Sequence, residues 1–498
     1  VLRKAKRRHI MATRRSFKSD ASFLEKISMG ATGTLAVLCN LEKQAHSPIV
    51  LERGSTSFKI WKNIKIKRIR VPDILCINCA KCIECRAKTS MEISMSHSQA
   101  DPERGWDRGL DDDDRIAFVV CDKAGDDPTA WEPMGPIQYV SVEHLRKAEE
   151  ADQAILTEPK GAGEGFEMRI LWPISVAKAP GIIKSVQEHR IQYNRESDDR
   201  VITLKMLKNR KELSPLVEAG ESILQNQVIA SVVPVSSCFP CESLDSEGYY
   251  LEFLRSASLE KKYAAVKALG TFSSPEVREA LLGRMGDPDE HVYVRLEAAA
   301  GLARQGQEQG FELFKEYLTH RYLEQRLEAV IVLGEIANDK SCTLLVEALS
   351  DGGQDPEIRA AAAWSVGELR NRLGLDALVD SFEAVENNIR IEAARALGKL
   401  AERFTPDIIN KFKASSASAL PGISWALSKA GTFHVHDLTE LLINEEARRW
   451  VAYVIGSHER NKYICEIEDL KQQDPEVYFA VTVLWTIMSS WVWGLEEY

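Results

Sequence analysis

The sequence has no low-complexity tract, no acidic residue among its first fifteen, and no even spread of cysteines. The first absence, beside a hydrophobic content of 44%, argues against disorder and for a folded, soluble protein. At 498 residues the chain is too long for one core, so two or three domains are expected. The acid-free start carries Arg3, Lys4, Lys6, Arg7, Arg8, Arg14 and Arg15 but no apolar core, so it is not expected to act as a signal peptide. Met11 is a candidate start, with Val1–Ile10 then read from an alternative one. Setting this +7 tail aside leaves the remainder at −17 from a formal total of −10. Such a body does not coat nucleic acid indiscriminately; any contact must be local. Six of the ten cysteines fall in two tight clusters, which excludes a disulfide framework and points to a reducing cytoplasm with metal-bound thiolates. The uncharged segment Val477–Leu495 contains Trp485, Trp491 and Trp493, but also Ser489, Ser490 and Gly494. It is expected to be a buried terminal helix or a subunit contact, not a membrane span.

What is present in abundance is repetition. YAAVKALG closes at Gly270, VRLEAAAGLA contains Gly301, and QRLEAVIVLG, IRAAAAWSVG and IRIEAARALG close at Gly334, Gly367 and Gly398. The intervals are 31, 33, 33 and 31 residues, the period of a helical solenoid. Each unit places apolar or small residues at helical spacing, as in Ile389, Ala393, Ala396, Leu397 and Leu400. Asp287-Pro288-Asp289 and Asp355-Pro356-Glu357 are expected to start helices, since proline suits the first turn and acids favour the N-terminus. The segment Tyr249–Gly431 resembles the HEAT family of short repeats with a D-P-x-V-R…A…A-L-G pattern. Arg295, Arg326, Arg359 and Arg390 occupy that family's arginine position, and the resemblance implies a ladder between these arginines and acids of neighbouring repeats. RRWVAYVIG and YFAVTVLWTI read as degenerate repeats at a capping end.

The N-terminal part reads differently. Ala21–Leu41 is expected to be a helix with a Gly-Ala-Thr-Gly interruption, and Pro48–Glu52, Lys65–Leu75, Cys82–Thr89 and Arg115–Cys121 to be strands. On a strand, Glu84, Arg86 and Lys88 share one face, and Asp73 at the end of the neighbouring strand could join them. Two carboxylates beside a cation are what a metal-dependent phosphodiesterase needs. Between Arg53 and Lys88 ten Lys or Arg stand against only Asp73 and Glu84, a basic apron that suits a phosphodiester. This segment resembles the PD-(D/E)xK nuclease superfamily, whose α-β-β-β-α-β core carries these groups on adjacent central strands. The resemblance implies a Mg²⁺-dependent endonuclease with Asp73 and Glu84 as metal ligands and Lys88 or Arg86 serving the water and the transition state. The sequence departs from the pattern in having Arg86, not lysine, two residues after Glu84. The reading set against this one is a solvated basic strand with a buried ion pair.

Cys76, Cys79, Cys82 and Cys85 follow C-x2-C-x2-C-x2-C, so Cys76 and Cys79 at least can share a soft metal. For structural Zn²⁺ the remaining ligands come from Cys82, from Cys121, or from the pair Cys238-Phe239-Pro240-Cys241; Cys85 lies on the strand face opposite Glu84. An iron–sulfur cluster and unmetallated thiols stay open beside zinc, although the run lacks the ferredoxin x3-Cys-Pro ending. Residues 167–234 are strand-rich, and Gly-Glu-x-Ile-x-x-x-Gln-x-Ile-Ala from Gly220 resembles barrel-sandwich hybrid domains. Lys205-Met206 is misplaced for a biotin attachment site, so a structural β module is expected.

Together these readings give a multidomain α+β protein. A basic tail (1–15) precedes an N-terminal α/β nuclease-like domain (16–135), a middle β-rich barrel-sandwich-like module (136–245) and a C-terminal all-α HEAT-like solenoid (246–498). The expected function is a metal-dependent nucleic-acid-cleaving or nucleic-acid-binding subunit, with DNA ahead of RNA. The solenoid would recruit a protein partner within a larger complex, by architectural analogy a prokaryotic defence or DNA-processing assembly. The alternative is a non-enzymatic HEAT-repeat assembly scaffold with a structural zinc-binding N-terminal domain.

Overall fold

The computed structural model describes residues 20–53, 69–98, 101, 104–125, 129–157, 167–431 and 433–494. The basic tail, the start of the expected strand Lys65–Leu75, and five of the ten apron cations (Lys59, Lys62, Lys65, Lys67 and Arg68) lie outside them. Two compact units divide at Ala264 and Ala265.

The first unit opens with helix α1 (Asp20–Lys43) and strands β1 (Pro48–Val50), β2 (Ile74–Cys76), β3 (Cys82–Lys88), β4 (Ile93–Ser98), β5 (Arg115–Lys123) and β6 (Trp131–Ser141). Arg70 and Val71 are not in a strand; the expected strand starts only at Ile74. A five-stranded sheet runs in the order β1-β2-β3-β5-β6, antiparallel throughout except that β5 lies parallel to β3. The unbroken apolar run of β5 is explained by burial on both faces. Ala117, Val119 and Cys121 pack with Val37 and Leu41 of α1, while Ile116, Phe118 and Val120 join a second core with Trp106, Leu145 and Trp172. The glycine interruption leaves α1 unbroken. It serves contact instead: a Cβ on Gly33 would lie 2.7 Å from that of Ala87 on β3. In the acidic run Asp111–Asp114 only the first three residues are exposed. Asp114 is buried and accepts the backbone N–H groups of Cys82 and Asp111, both at 2.7 Å, fixing the start of β3.

The expected boundary at 135/136 falls inside β6. Helix α2 (Val142–Glu150) and strands β7 (Ile155–Thr157) and β8 (Glu167–Trp172) follow, the latter two forming a sheet with β4. Then come β9 (Ile174–Val176), β10 (Gly181–Gln187), β11 (Arg190–Arg195), β12 (Val201–Lys205), β13 (Leu207–Lys208), β14 (Lys211–Glu212), β15 (Ser214–Pro215), β16 (Ser222–Ile223) and β17 (Val228–Ser231). The sheets β12-β11-β10-β16 and β15-β17-β9 share a core of Ile183, Ile191, Tyr193, Leu213, Ile223 and Ile229. Helix α3 (Ser246–Phe253) closes this unit, and α4 (Leu259–Leu269) leads into the next.

The second unit is helical: α5 (Pro275–Gly286), α6 (Val292–Arg304), α7 (Glu308–Leu318), α8 (Leu323–Leu333), α9 (Asp339–Ser350), α10 (Pro356–Leu369), α11 (Leu375–Asp380), α12 (Asn387–Ala414, kinked at Phe404), α13 (Leu420–Leu427), α14 (Val435–Thr439), α15 (Glu445–Gly456), α16 (Ile464–Gln473) and α17 (Pro475–Gly494). The periodic glycines sit where one helix meets the next. Gly270 and Gly301 face each other, with a Cβ on Gly301 falling 2.9 Å from the Gly270 Cα. A Cβ on Gly334 would meet Ser365 and one on Gly367 would meet Ala396, both below 3.0 Å. Asp355 caps α10 by accepting the Glu357 N–H, with Pro356 in the first turn. Asp287-Pro288-Asp289 departs from expectation: Asp287 ends α5, and α6 is capped by His291. Three of the four repeat arginines bond to carbonyl groups at or just past the ends of preceding helices, where intrahelical donors run out, while Arg390 pairs with Asn387 Oδ1. Nε of Arg295 donates to Met285 O, that of Arg359 to Leu349 O, and that of Arg326 to His320 O. No helix among the described residues is long and apolar enough to cross a membrane; in α17, Trp485 is buried and donates to His458 O at 2.8 Å.

Candidate functional site

The β2–β3 hairpin carries two clusters of opposite chemical character. At its open end, one step beyond the ladder pair Ile74–Ile83, Asp73 stands beside Glu84. Asp73 Oδ2 accepts the Cys85 N–H at 2.7 Å. Burial first, then the Glu84 and Glu52 carboxylates, push the Asp73 carboxyl up to about 8, against the pull of the Cys85 N–H and Arg86. Alternation on β3 sends Ile83 and Cys85 into the core under α1, and Glu84, Arg86 and Lys88 to the other face. There Arg86 Nη2 pairs with Glu84 Oε1 at 2.6 Å, and Arg86 Nε lies 3.2 Å from Met95 Sδ. Burial opposes the guanidinium charge, but Glu84 and Asp73 hold its pKa above the ordinary value. Lys88 is committed elsewhere: its ammonium donates to Ser94 O at 2.7 Å and sits 3.9 Å from Glu92, and burial pulls it down to about 8. The acids and Arg86 therefore form one group, with Lys88 beside it.

At the hairpin's closed end the donors are soft. α1 ends in a left-handed residue, Ala45 (φ +62°), and the His46 N–H bonds back to Leu41 O at 3.1 Å, a cap that turns His46 inward. The turn Cys76-Ile77-Asn78-Cys79 closes through Ala80 (φ +55°) and the bond from Cys76 N to Lys81 O. The segment after β17 crosses back to this turn, pairing Ser236 with Tyr139, burying Phe239, and donating from Leu244 N to Asn78 O at 2.9 Å. It brings Cys241 to Cys76, Sγ to Sγ 3.7 Å. His46 Nδ1 lies 3.4 Å from Cys76 Sγ and 3.8 Å from Cys79 Sγ, while its Nε2 faces Phe239 O at 3.1 Å. All four donor atoms lie within 4.8 Å of one another, the one such convergence among the described residues, and close enough to share one metal ion. The Cys76 thiol is pulled below its ordinary value, first by the Cys79 thiol and further by His46, and Cys79 is pushed up by the same pairing.

The other cysteines do not reach this cluster. Cys82 sits beside buried Asp114, Cys85 and Cys121 pack in the α1 core, and Cys238 is exposed. Burial pushes the Cys82 and Cys85 thiols well above the usual range, as expected of inert core thiols. The C-x2-C-x2-C-x2-C run thus splits, because its second half is a strand whose sulfurs alternate with the strand's period. His46 escaped the sequence reading: it lies 30 residues before Cys76, with no spacing signal to the cysteines.

Among known proteins, the HEAT repeats family matches residues 250–323 and 312–398, and the C-terminal region accordingly carries HEAT repeats. No curated protein matches the chain. Similar solved structures include an engineered protein (18% identity, 42% of this chain and 67% of that one, TM-score 0.24). The complex of CpcE and CpcF of phycocyanin lyase from Nostoc sp. PCC7120 is similar at 17% identity, covering 43% of this chain and 95% of that one (TM-score 0.25). Human deoxyhypusine hydroxylase in complex with glycerol is similar at 15%, covering 49% and 96% (TM-score 0.21). Scores this low carry no argument about what the solenoid holds.

Proposed function

We propose that this chain is a phosphodiester-directed, nuclease-like module carried on a HEAT-repeat scaffold, with nucleic acid, DNA before RNA, as its ligand. The observation that carries the reading is Asp73, immediately before β2, beside Glu84 on the antiparallel partner β3, with Arg86 on the Glu84 face. The parallel pairing of β3 with β5 and the packing of α1 across both support a PD-(D/E)xK-like core. The two sheets around one core support a barrel-sandwich-like middle module of purely structural role. Two mutually repelling carboxylates offer the hard oxygen donors that suit Mg²⁺. A bound Mg²⁺ would supply an activated water and Lewis acidity. The chain's own residues do the rest. Asp73 and Glu84 hold the charge that a cation or Arg86 neutralises, and Arg86, released from Glu84, pairs with a phosphate oxygen. The solenoid recruits a protein partner within a larger cytoplasmic defence or DNA-processing assembly.

A non-enzymatic assembly scaffold is the second reading. It is favoured by the closed Glu84–Arg86 pair, which already neutralises one acid, and by the engagement of Lys88 with Ser94. Incubating the protein with linear DNA, circular DNA and RNA, with and without Mg²⁺ or Mn²⁺, separates the two. Metal-dependent cleavage lost in folded Asp73→Ala and Glu84→Ala variants supports the nuclease. Binding without cleavage, weakened by Arg86→Ala, supports a nucleic-acid-binding form. Neither binding nor cleavage leaves the scaffold.

A further inference from the structure

We infer that His46, Cys76, Cys79 and Cys241 bind one structural Zn²⁺ in a closed tetrahedral site, and that this ion staples three segments remote in sequence. With Zn–S near 2.3 Å and Zn–N near 2.0–2.1 Å, a tetrahedron has edges of about 3.6–3.8 Å. The separations here are 3.4 Å and 3.8 Å from imidazole to thiols and 3.7 Å between thiols. Three of the six edges thus match and all six lie within 4.8 Å, a cluster sized for one ion. An iron–sulfur cluster, in which separate thiolates bind separate irons, needs a wider cradle.

The donor chemistry agrees. Three sulfurs and one imidazole are borderline-soft ligands, and three of the four residues are buried, with no acid among the four to recruit a hard cation. The ring is already oriented: with Nε2 donating to Phe239 O, the Nδ1 lone pair faces the thiols. A second-shell carbonyl of this kind fixes the tautomer of metal-bound histidines, and the tilted contact with Phe239, centroids 4.5 Å apart, holds the ring plane. No donor position is left for water or substrate, so the role is structural, not catalytic. Binding exchanges the thiol protons for the metal, three thiolates and a neutral imidazole being the ligands.

The site joins the end of α1, the β2–β3 turn and the segment leading to α3. Each arrives by its own backbone device: the left-handed cap at Ala45, the turn through Ala80, and the bridge of Ser236 to Tyr139. α3 sits against the same turn, its Tyr250 hydroxyl donating to Ile77 O at 3.1 Å.

The test is the metal content of the purified full chain by elemental analysis and native mass spectrometry, with Co²⁺ exchange to read coordination optically. One Zn²⁺ per chain is expected, together with tetrahedral ligand-field and thiolate charge-transfer bands after exchange. Cys82→Ser, Cys85→Ser and Cys238→Ser should keep the full equivalent. Cys241→Ser and His46→Ala should lose it. Because loss could follow from misfolding, His46→Cys, which restores four donors, should regain one equivalent with stronger thiolate charge-transfer absorption. Iron in place of zinc, no bound metal, or metal kept in Cys241→Ser but lost in Cys82→Ser or Cys238→Ser would overturn the inference.

Discussion

The solenoid and the N-terminal unit solve the same problem, bringing distant residues together, by opposite routes. In the solenoid each helix meets its neighbour about one repeat away, and the contact is written into the repeat as glycine: Gly270 on Gly301, Gly334 on Ser365, Gly367 on Ala396. In the N-terminal unit the decisive contacts span far more chain, as between Cys76 and Cys241, 165 residues apart. Local closure costs little chain entropy and tolerates the loss of any one contact; long-range closure concentrates stability in few groups. A repeat should therefore yield gradually under substitution, and the stapled unit abruptly.

The largest effect should come from the staple. Removing Zn²⁺ with a chelator, or replacing His46 by Ala, should destabilise the first unit by roughly 5 kcal/mol, a fraction of the binding free energy typical of structural zinc. Thermal unfolding should then split into two transitions, with only the lower one moved. A single transition shifted as a whole would break the comparison.

Next is Gly367→Ala in the solenoid, where the added Cβ would lie 2.7 Å from the Ala396 Cα, a backbone atom that cannot turn aside. A loss of about 2 kcal/mol is expected. Gly283→Ala, in α5 with nothing within 4 Å, should instead stabilise by about 0.5–1 kcal/mol. Urea midpoints of the two variants shifting in the same direction would contradict the packing role of the periodic glycines.

Arg86→Met should cost about 1–2 kcal/mol by leaving Glu84 half-buried without its partner, less than a fully buried pair because the Arg86 side chain is 36% exposed. The double variant with Glu84→Gln should recover most of the loss, and a double-mutant cycle measures it.

A pH dependence at Asp114 sharpens the comparison further. Its carboxyl is pushed by burial to about 7, so the folded state holds a proton that the unfolded chain gives up near pH 4. The sign follows: stability from this group is full below about pH 4 and falls as pH rises towards 7. The difference in unfolding free energy between wild type and Asp114→Asn should change across that interval and be flat above it.

How much of this was legible in the sequence follows the same divide. The period of Gly270 to Gly398 announced the solenoid because one repeat contains its own packing instructions. The strand alternation of Glu84, Arg86 and Lys88 was legible for the same reason: side-chain direction on a strand is local. What the pattern hid was closure. Nothing near His46 marks it as a partner of Cys76, because the cap at Ala45 that aims it and the carbonyl of Phe239 that orients it belong to different parts of the chain. The C-x2-C spacing found Cys76 and Cys79 correctly as neighbours, yet extended the pattern into β3, where the pleat turns Cys85 towards α1. Asp114 reads as one of four like charges, and only its two bonds to Cys82 N and Asp111 N distinguish it.

The position of Cys241 also sets a clock. A ribosome adding about 5–20 residues per second needs roughly 10–30 s to pass from Cys76 to Cys241. During that interval α1 and the hairpin can be made but not locked, and their paired thiols wait with three donors of four. The order of synthesis thereby makes the middle β module a prerequisite for finishing the domain that precedes it, and by the time the fourth thiolate emerges, α3, whose Tyr250 bonds to the same turn, is next in line to dock.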